Sequence, residues 1–407
     1  MSPALLLLVT LSPGVVSESS GEGPPVVTEQ VFLEAVGPEH AAWQSLEGAV
    51  AEAEAEVRRA ATLPNPTLGF AREAPDGLPS ENTWLLSWKP PLAGRRGPTR
   101  DAAEAGVRAA RADLAARRLR VRGELRGVYA DWALAAARLV VVESHSERIE
   151  RAAEVLRRRA EAGEVSGLAA RRIALSAEGV RAIRARTEAE HVRAVARVKG
   201  LWPGVPDGAG PELPPFAAVP TTSDVSRRPD LVALEEEVEQ ADLQAKAAGR
   251  FWGFPELGFG WQTLRGDAGG GAKIGGPVFA ASWSVPIFDR DQGRRARAEG
   301  RARVLAAQHS LVRARASAEM EGAQAAWTAL RTATLRAAEA ALDGQEVVRG
   351  TAAAFEAGEA DVTDLNDALR AAFNADLLVL ELRGEALAAE RAFEAALGRP
   401  LATGGSR

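Results

Sequence analysis

Cysteine is missing from all 407 residues of this chain. That excludes disulfides, thiolate catalysis, thiolate metal sites and lipid attachment through Cys. Met occurs only at Met1 and Met320, so no thioether ladder for copper(I) can form. The four His (His40, His145, His191, His309) lie far apart, and none has a partner at metal-ligand spacing. Lys is nearly absent too. Lys89, Lys199, Lys246 and Lys273 are all there are, and the remaining basic residues are Arg interleaved with acids, for a net charge of −5. Such mixing reads as solvated helix faces and not as a stripe for nucleic acid. Beyond the N-terminus no uninterrupted apolar run reaches the ~18 residues of a membrane helix. The glycine-rich "RGDAGGGAKIGG" (Arg265–Gly276) lacks the Gly-Lys-Ser/Thr ending that a phosphate loop requires, and reads better as a hairpin loop. With no nucleophile–base pair at a motif spacing, neither an enzyme nor a bound cofactor is expected.

What is present begins with "PALLLLVTLSPGVVSESS", an apolar core followed by small residues. A signal peptide is expected over residues 1–20, although its usual basic start is missing and the first basic residue is Arg58. A tail without fold is the alternative.

The dominant signal is an internal repeat. Pro91 in "PPLAGRRG" and Pro286 in "PIFDRDQG" lie 195 residues apart, and the same offset superimposes much else. Ser87 and Trp88 fall on Ser282 and Trp283, Arg95 on Arg290, and Trp132 on Trp327. "EAGE" at Glu161–Glu164 falls on "EAGE" at Glu356–Glu359. A fixed offset held over this span marks a duplicated unit. We divide the chain into a first repeat at 31–204, a linker at 205–225, a second repeat at 226–401 and a tail at 402–407.

Each unit opens with an Ala- and Glu-rich helix, near Glu39–Thr62 and Asp230–Arg250. Two short alternating segments follow. Leu68 and Phe70 share one face, as do Trp84, Leu86 and Trp88. In the second unit the sets are Leu257, Phe259 and Trp261, then Phe279, Ala281, Trp283 and Val285. Opposite them stand Thr83, Ser87, Gly258, Gly260, Gln262 and Ser282. Large apolar residues alternating with small polar ones make a strand with a different solvent on each face. A long helix then runs from about Gly97 to Ala160, with no Pro beyond its first turn. Its stripe is Leu114, Val121, Leu125, Val128, Trp132, Leu139, Val142, Ile149 and Leu156, in steps of 3, 4 and 7. Such a helix is roughly 95 Å long and cannot bury its stripe within one globule. Gly163 and Gly358 each bear a turn into a returning helix. Two strand pairs leave open edges and are too few to close a barrel alone. A membrane barrel pooled from several chains and a small soluble sheet capping a bundle both fit the alternation; the edges favour the barrel.

Taken together, the "NP" leading into the first strand, "RRPDL" at Arg227–Leu231, the paired Gly turns and "PIFDRDQG" resemble the TolC family of outer-membrane efflux channels over about Val31–Leu401. "PIFDRDQG" is similar to the signature of the cobalt–zinc–cadmium class of cation-efflux outer-membrane components, with Asp291 where Asn is usual. The resemblance implies a mainly α fold with a small β part: a homotrimer whose strands form a 12-stranded transmembrane barrel, continued by a helical tube across the periplasm of a Gram-negative cell. It also implies a periplasmic adaptor (membrane fusion) protein and a proton-driven inner-membrane pump as partners. Trp84, Trp88, Trp261 and Trp283 would meet outer-membrane lipid. Pro91, Pro286, Asp289 and Arg290 would form the corners where strand becomes helix, with Pro ending the ladder. Gly163, Glu164, Gly358 and Glu359 would dock the adaptor. Asp364 and Asp367 align with the acids of the constricted entrance, although acids in a first helical turn are also stabilised by the dipole alone. Metal cations are the expected cargo of this passive duct. Drug efflux and type I secretion remain open within the same channel, and a soluble coiled-coil scaffold or an adaptor in another class.

Overall fold

The computed structural model describes residues 25–37, 41–74, 79–91, 94–220, 224–250, 253–265 and 273–402. The expected signal peptide, nearly all of the tail, Trp252 and most of the Arg265–Gly276 loop lie outside these. After a short strand β1 (Val26–Val27) and helix α1 (Glu29–Ala35), the same series of elements occurs twice. First come α2 (Ala41–Ala61), β2 (Thr67–Glu73), β3 (Ser80–Trp88), α3 (Arg96–Glu161) and α4 (Gly167–Leu201). After β4 (Gly210–Pro211) follow α5 (Pro229–Gly249), β5 (Glu256–Arg265), β6 (Lys273–Ser282), α6 (Gln292–Ala357) and α7 (Val362–Leu397). Helices α2 and α5 have 21 residues each, and α3 and α6 have 66 each. The duplication is therefore one of architecture as well as of letters. Among the described residues, no helix is long and apolar enough to cross a membrane.

Contacts divide the chain into two compact units. The sheet unit comprises Ser45–Arg117 and Ser226–Arg315. In it β2, β3, β5 and β6 form one antiparallel sheet in that order. Register places Phe70 opposite Trp84, Trp84 opposite Trp261, Leu86 opposite Phe259, and Phe259 opposite Phe279. Directly opposed residues share a face, so the apolar sets expected from alternation join into one band. Every member of that band is exposed, Phe279 by 78% and Trp84 by 52%. The other face carries Thr83, Ser87, Glu256 and Gln262, with the Ser87 hydroxyl donating to Glu256 at 2.5 Å.

One strand is shorter than expected. β6 ends at Ser282, paired with Glu256, whereas alternation suggested it would continue to Val285. The next partner of Trp283 would be Pro255, which has no N–H to donate. The ladders also stop before reaching Pro91 and Pro286. Those prolines sit in the crossing segments and do not themselves end the strands.

The helical unit comprises Met1–Gln44, Arg118–Val225 and Ala316–Arg407. The expected stripe is the core: Leu125, Trp132, Val142, Ile149 and Leu156 are all buried. Trp132 packs with Phe32 and Tyr129, and its repeat equivalent Trp327 stacks on Phe393 at 5.5 Å. The segment around β4 is strapped down at several points. β4 pairs in parallel with β1, the Tyr129 hydroxyl reaches the carbonyls of Val27 and Glu212, and Arg383 stacks on Phe216 at 3.7 Å.

His145 lies buried in this unit, stacked on Phe373 with 4.1 Å between ring centres. Burial, aided by the nearby Arg148 guanidinium, lowers its pKa to about 4. A folded-state value below the unfolded one means the unfolded chain takes up the proton first. His145 therefore costs no stability above pH ~6.5 and destabilises as pH falls toward 4. Between pH 7 and pH 5 the loss is about 2 kcal/mol. His145→Phe is expected to remove that part of the pH dependence, measured by urea unfolding of both proteins at the two pH values.

Candidate functional site

Two corners join strand to helix in the sheet unit. At the second, Asp291 has φ +59°, the left-handed region that Asn and Asp tolerate better than other side chains. The Asp289 carboxylate accepts the Asp291 N–H at 2.9 Å, and Gln292 Oε1 accepts the Arg290 N–H at 2.6 Å. Gln292 Nε2 in turn donates to the Phe288 carbonyl at 3.0 Å. "FDRDQG" is thus a self-bonded turn that launches α6. The buried Asp291 carboxylate then binds Arg95 of the first corner at 2.5 Å and Arg294 at 3.0 Å. The two repeat-related corners are tied together by one ion pair. Of the residues expected here, Asp289 and Arg290 build the turn, whereas Pro91 and Pro286 line the adjoining cavity.

Trp88 and Trp283 complete the corners in parallel fashion. The indole N–H of Trp88 donates to the Pro64 carbonyl at 2.8 Å, and that of Trp283 to the Gly253 carbonyl at 3.0 Å. Both rings remain exposed while their polar atom is satisfied. Trp84 and Trp261 sit directly opposite each other within the apolar band.

In the helical unit the two expected tips have one geometry. Gly163 (φ +78°) and Gly358 (φ +79°) adopt the left-handed conformation that only Gly enters without cost. The Glu164 N–H bonds the Arg159 carbonyl and the Glu359 N–H bonds the Ala354 carbonyl, each at 2.8 Å. These are six-to-one helix closures, repeated. Glu164 and Gly358 line a common groove with Ser166 and Asp361, and Arg159 lies over the Phe355 ring at 5.3 Å.

Asp361 caps α7, and its carboxylate accepts the Asp364 N–H at 2.9 Å and the Thr363 N–H at 2.6 Å. Those bonds, the one from Asp364 first, hold the Asp361 carboxyl below its ordinary range. The Asp364 carboxylate reciprocates, accepting the Asp361 N–H at 3.0 Å. Asp364 is therefore half of a capping box. Asp367 follows on the same exposed face, and both border a shallow groove with Val347, Gly350 and Thr351. Among the described residues no group of three His, Asp or Glu is placed to hold a metal ion.

Residues 224–399 match the outer membrane efflux protein family. The chain is 25% identical over 366 residues to the cobalt-zinc-cadmium resistance protein CzcC of Cupriavidus metallidurans, covering 85% of this chain and 84% of that one. The fold agrees over nearly the whole chain. The outer membrane protein VceC of Vibrio cholerae aligns with TM-score 0.73 and 17% identity, covering 91% of this chain and 96% of that one. The CmeC outer membrane channel of Campylobacter jejuni aligns with TM-score 0.71 and 14% identity, covering 100% and 96%. Within this fold, the Arg95–Asp291–Arg294 cluster is what sequence reasoning missed. The repeat aligns Arg95 with Arg290, which hides its true partner. The signal that could have found it was Asp291 itself, a charged residue where the resembling motif carries a neutral one.

Proposed function

We propose that the chain is the outer-membrane exit duct of a tripartite efflux system, passively passing metal cations from an inner-membrane pump and a periplasmic adaptor to the outside of a Gram-negative cell. One observation carries the duct: a four-stranded sheet with a continuous exposed apolar and aromatic face and two unpaired edges, on β2 and β6. Apolar side chains on one face and open edges together are what lipid contact and barrel closure by further copies require. A homotrimer closes twelve strands, and the repeated helical hairpins then line a tube. The metal cargo rests on the relative named for cobalt, zinc and cadmium resistance. The domain division proposed from the sequence assigns one hairpin to each repeat. The hairpin tips at Gly163, Glu164, Gly358 and Glu359 offer the adaptor a groove, and nothing in the chemistry of the chain calls for catalysis.

In the same proposal Asp364 and Asp367 form stacked rings of carboxylates that favour cations. Asp364→Asn with Asp367→Asn keeps an oxygen to accept the capping hydrogen bond while removing both charges. The wild-type chain, expressed with a working signal peptide, is expected in the outer membrane as a heat-modifiable trimer. In planar bilayers the double variant should lose cation-over-anion selectivity several-fold with the trimer intact. Unchanged selectivity would confine both acids to helix capping. A monomer confined to the soluble fraction would sink the duct itself.

A further inference from the structure

The corner cluster opens onto a cavity of about 820 Å³ within the sheet unit. Among the described residues its lining includes Arg59, Lys89, Arg95, Arg96 and Arg294 against only Asp289 and Asp291. Arg95 and Arg294 share the single Asp291 carboxylate, so that group leaves one positive charge over. Arg96 donates to the Ala61 carbonyl, which neutralises nothing. Arg59 pairs with Glu56 on the exposed surface. Lys89 is exposed and has no ion pair among the described residues. The excess is positive, drawn from several different elements.

A helix start reinforces it. α3 begins at this cavity and has no acidic residue in its first turn. The N-terminal end of a helix carries a partial positive charge and ordinarily attracts Asp or Glu. Here Arg96 stands there instead, an arrangement that an anion would relieve, whereas at the start of α6 the Asp291 carboxylate already meets Arg294.

The surroundings say which anion. Lys89 directly follows Trp88, and Ser284 and Val285 directly follow Trp283, so the cavity continues from the end of the aromatic band. Trp rings with bonded N–H groups are suited to the headgroup level of a bilayer. Ile287 and Phe288, which also line the cavity, are exposed by 61% and 90%. A soluble anion has no use for such side chains, whereas a lipid with acyl chains does.

We propose that this corner binds the phosphate of an anionic glycerophospholipid in the leaflet nearer the long helices, with Ile287 and Phe288 against its acyl chains. The proposal rests on the outer-membrane reading above and adds to it a specific lipid site, which would fix the depth of the chain in the membrane.

The test uses the full chain in non-ionic detergent, titrated calorimetrically with dihexanoyl-phosphatidylglycerol below its micelle concentration. Dihexanoyl-phosphatidylcholine and inorganic phosphate serve as parallel probes. Phosphatidylglycerol should bind best, and Lys89→Gln with Arg59→Gln should weaken it at least about tenfold. Both side chains are exposed, so folding is spared. Phe288→Ser should weaken the lipid without changing whatever affinity inorganic phosphate shows. Equal binding of phosphatidylcholine, equal competition by inorganic phosphate, or no effect of the double substitution would each overturn the proposal. Envelope fractionation of the same proteins separates the two readings. A wild-type trimer in the outer membrane without phosphatidylglycerol binding defeats the lipid site alone, whereas a wild-type chain absent from that membrane defeats the duct.

Discussion

Replacing Arg126 by Met is expected to lower the unfolding free energy by about 3–5 kcal/mol, the cost of leaving buried charges without their partner. Arg126 comes from α3 and is itself buried. Its guanidinium bonds Glu29 at 2.9 Å, Glu390 at 2.9 Å and Glu394. Burial works against its charge, yet Glu29, Glu394 and Glu390 outweigh burial and raise its pKa. The carboxylates have second duties. Glu390 accepts the Ala217 N–H at 3.0 Å, and Glu394 accepts the Leu401 N–H at 2.8 Å. One cation thus joins α1, α3 and α7 to the segments before α5 and after α7. Burial already pushes the Glu394 carboxyl up against the pull of Arg126. Without the cation only the Leu401 N–H still opposes that rise. A carboxyl with a raised folded-state pKa stabilises below its unfolded value and loses that contribution as pH rises. The variant should therefore be worst near neutral pH and recover toward pH 4–5. Adding Glu390→Gln and Glu394→Gln to Arg126→Met should restore most of the loss, since each amide still offers an oxygen to its backbone N–H. Urea unfolding followed by helical circular dichroism measures all three proteins. A loss below about 1 kcal/mol in the single variant would show that water reaches the cluster.

This cluster also marks the limit of what the sequence discloses. Its partners lie 97, 264 and 268 residues from Arg126 along the chain. Periodicity reports which face of an element is apolar but not which distant charge will meet it. The same holds for Arg95 and Asp291, and for the two-residue pairing of Val26–Val27 with Gly210–Pro211. Local and repeated features were readable because duplication showed them twice. Gly163 and Gly358 take the same φ to within a degree. Trp88 and Trp283 bond equivalent carbonyls, with Pro64 answering Gly253 at the same 189-residue offset as "NPTLGF" and "FPELGF". Alternation placed Phe70, Trp84, Phe259 and Trp261 on one face, since a period of two leaves no other choice. It failed at Trp283 because a strand lasts only as long as its neighbour can pair, and Pro255 ends that neighbour.

Gly260→Val is expected to abolish the sheet, and with it the proposed heat-modifiable trimer. Gly260 of β5 lies between Leu85 of β3 and Val278 of β6. A Cβ at this position would stand 2.0 Å from the Trp84 carbonyl oxygen and 3.1 Å from the Leu85 Cα. Both obstacles are backbone, so no rotamer change relieves the clash; β3 and β5 must separate. Separation breaks the ladder where Trp84 faces Trp261, at the middle of the aromatic band. Overpacking in a core that can yield costs about 1–3 kcal/mol, and this site cannot yield. Gly258 supplies the contrast two residues earlier on the same face. There a Cβ would meet chiefly the Leu85 side chain at 3.0 Å and the Ala280 Cβ at 3.3 Å. Leu85 can turn aside, so Gly258→Ala should cost no more than about 1–2 kcal/mol and keep the proposed trimer. Comparing unheated and heated samples of the two variants from the outer-membrane fraction reads the difference directly. A wild-type trimer yield from Gly260→Val would mean that β3 and β5 are not paired in the assembled protein, and that the closed barrel is built on another register.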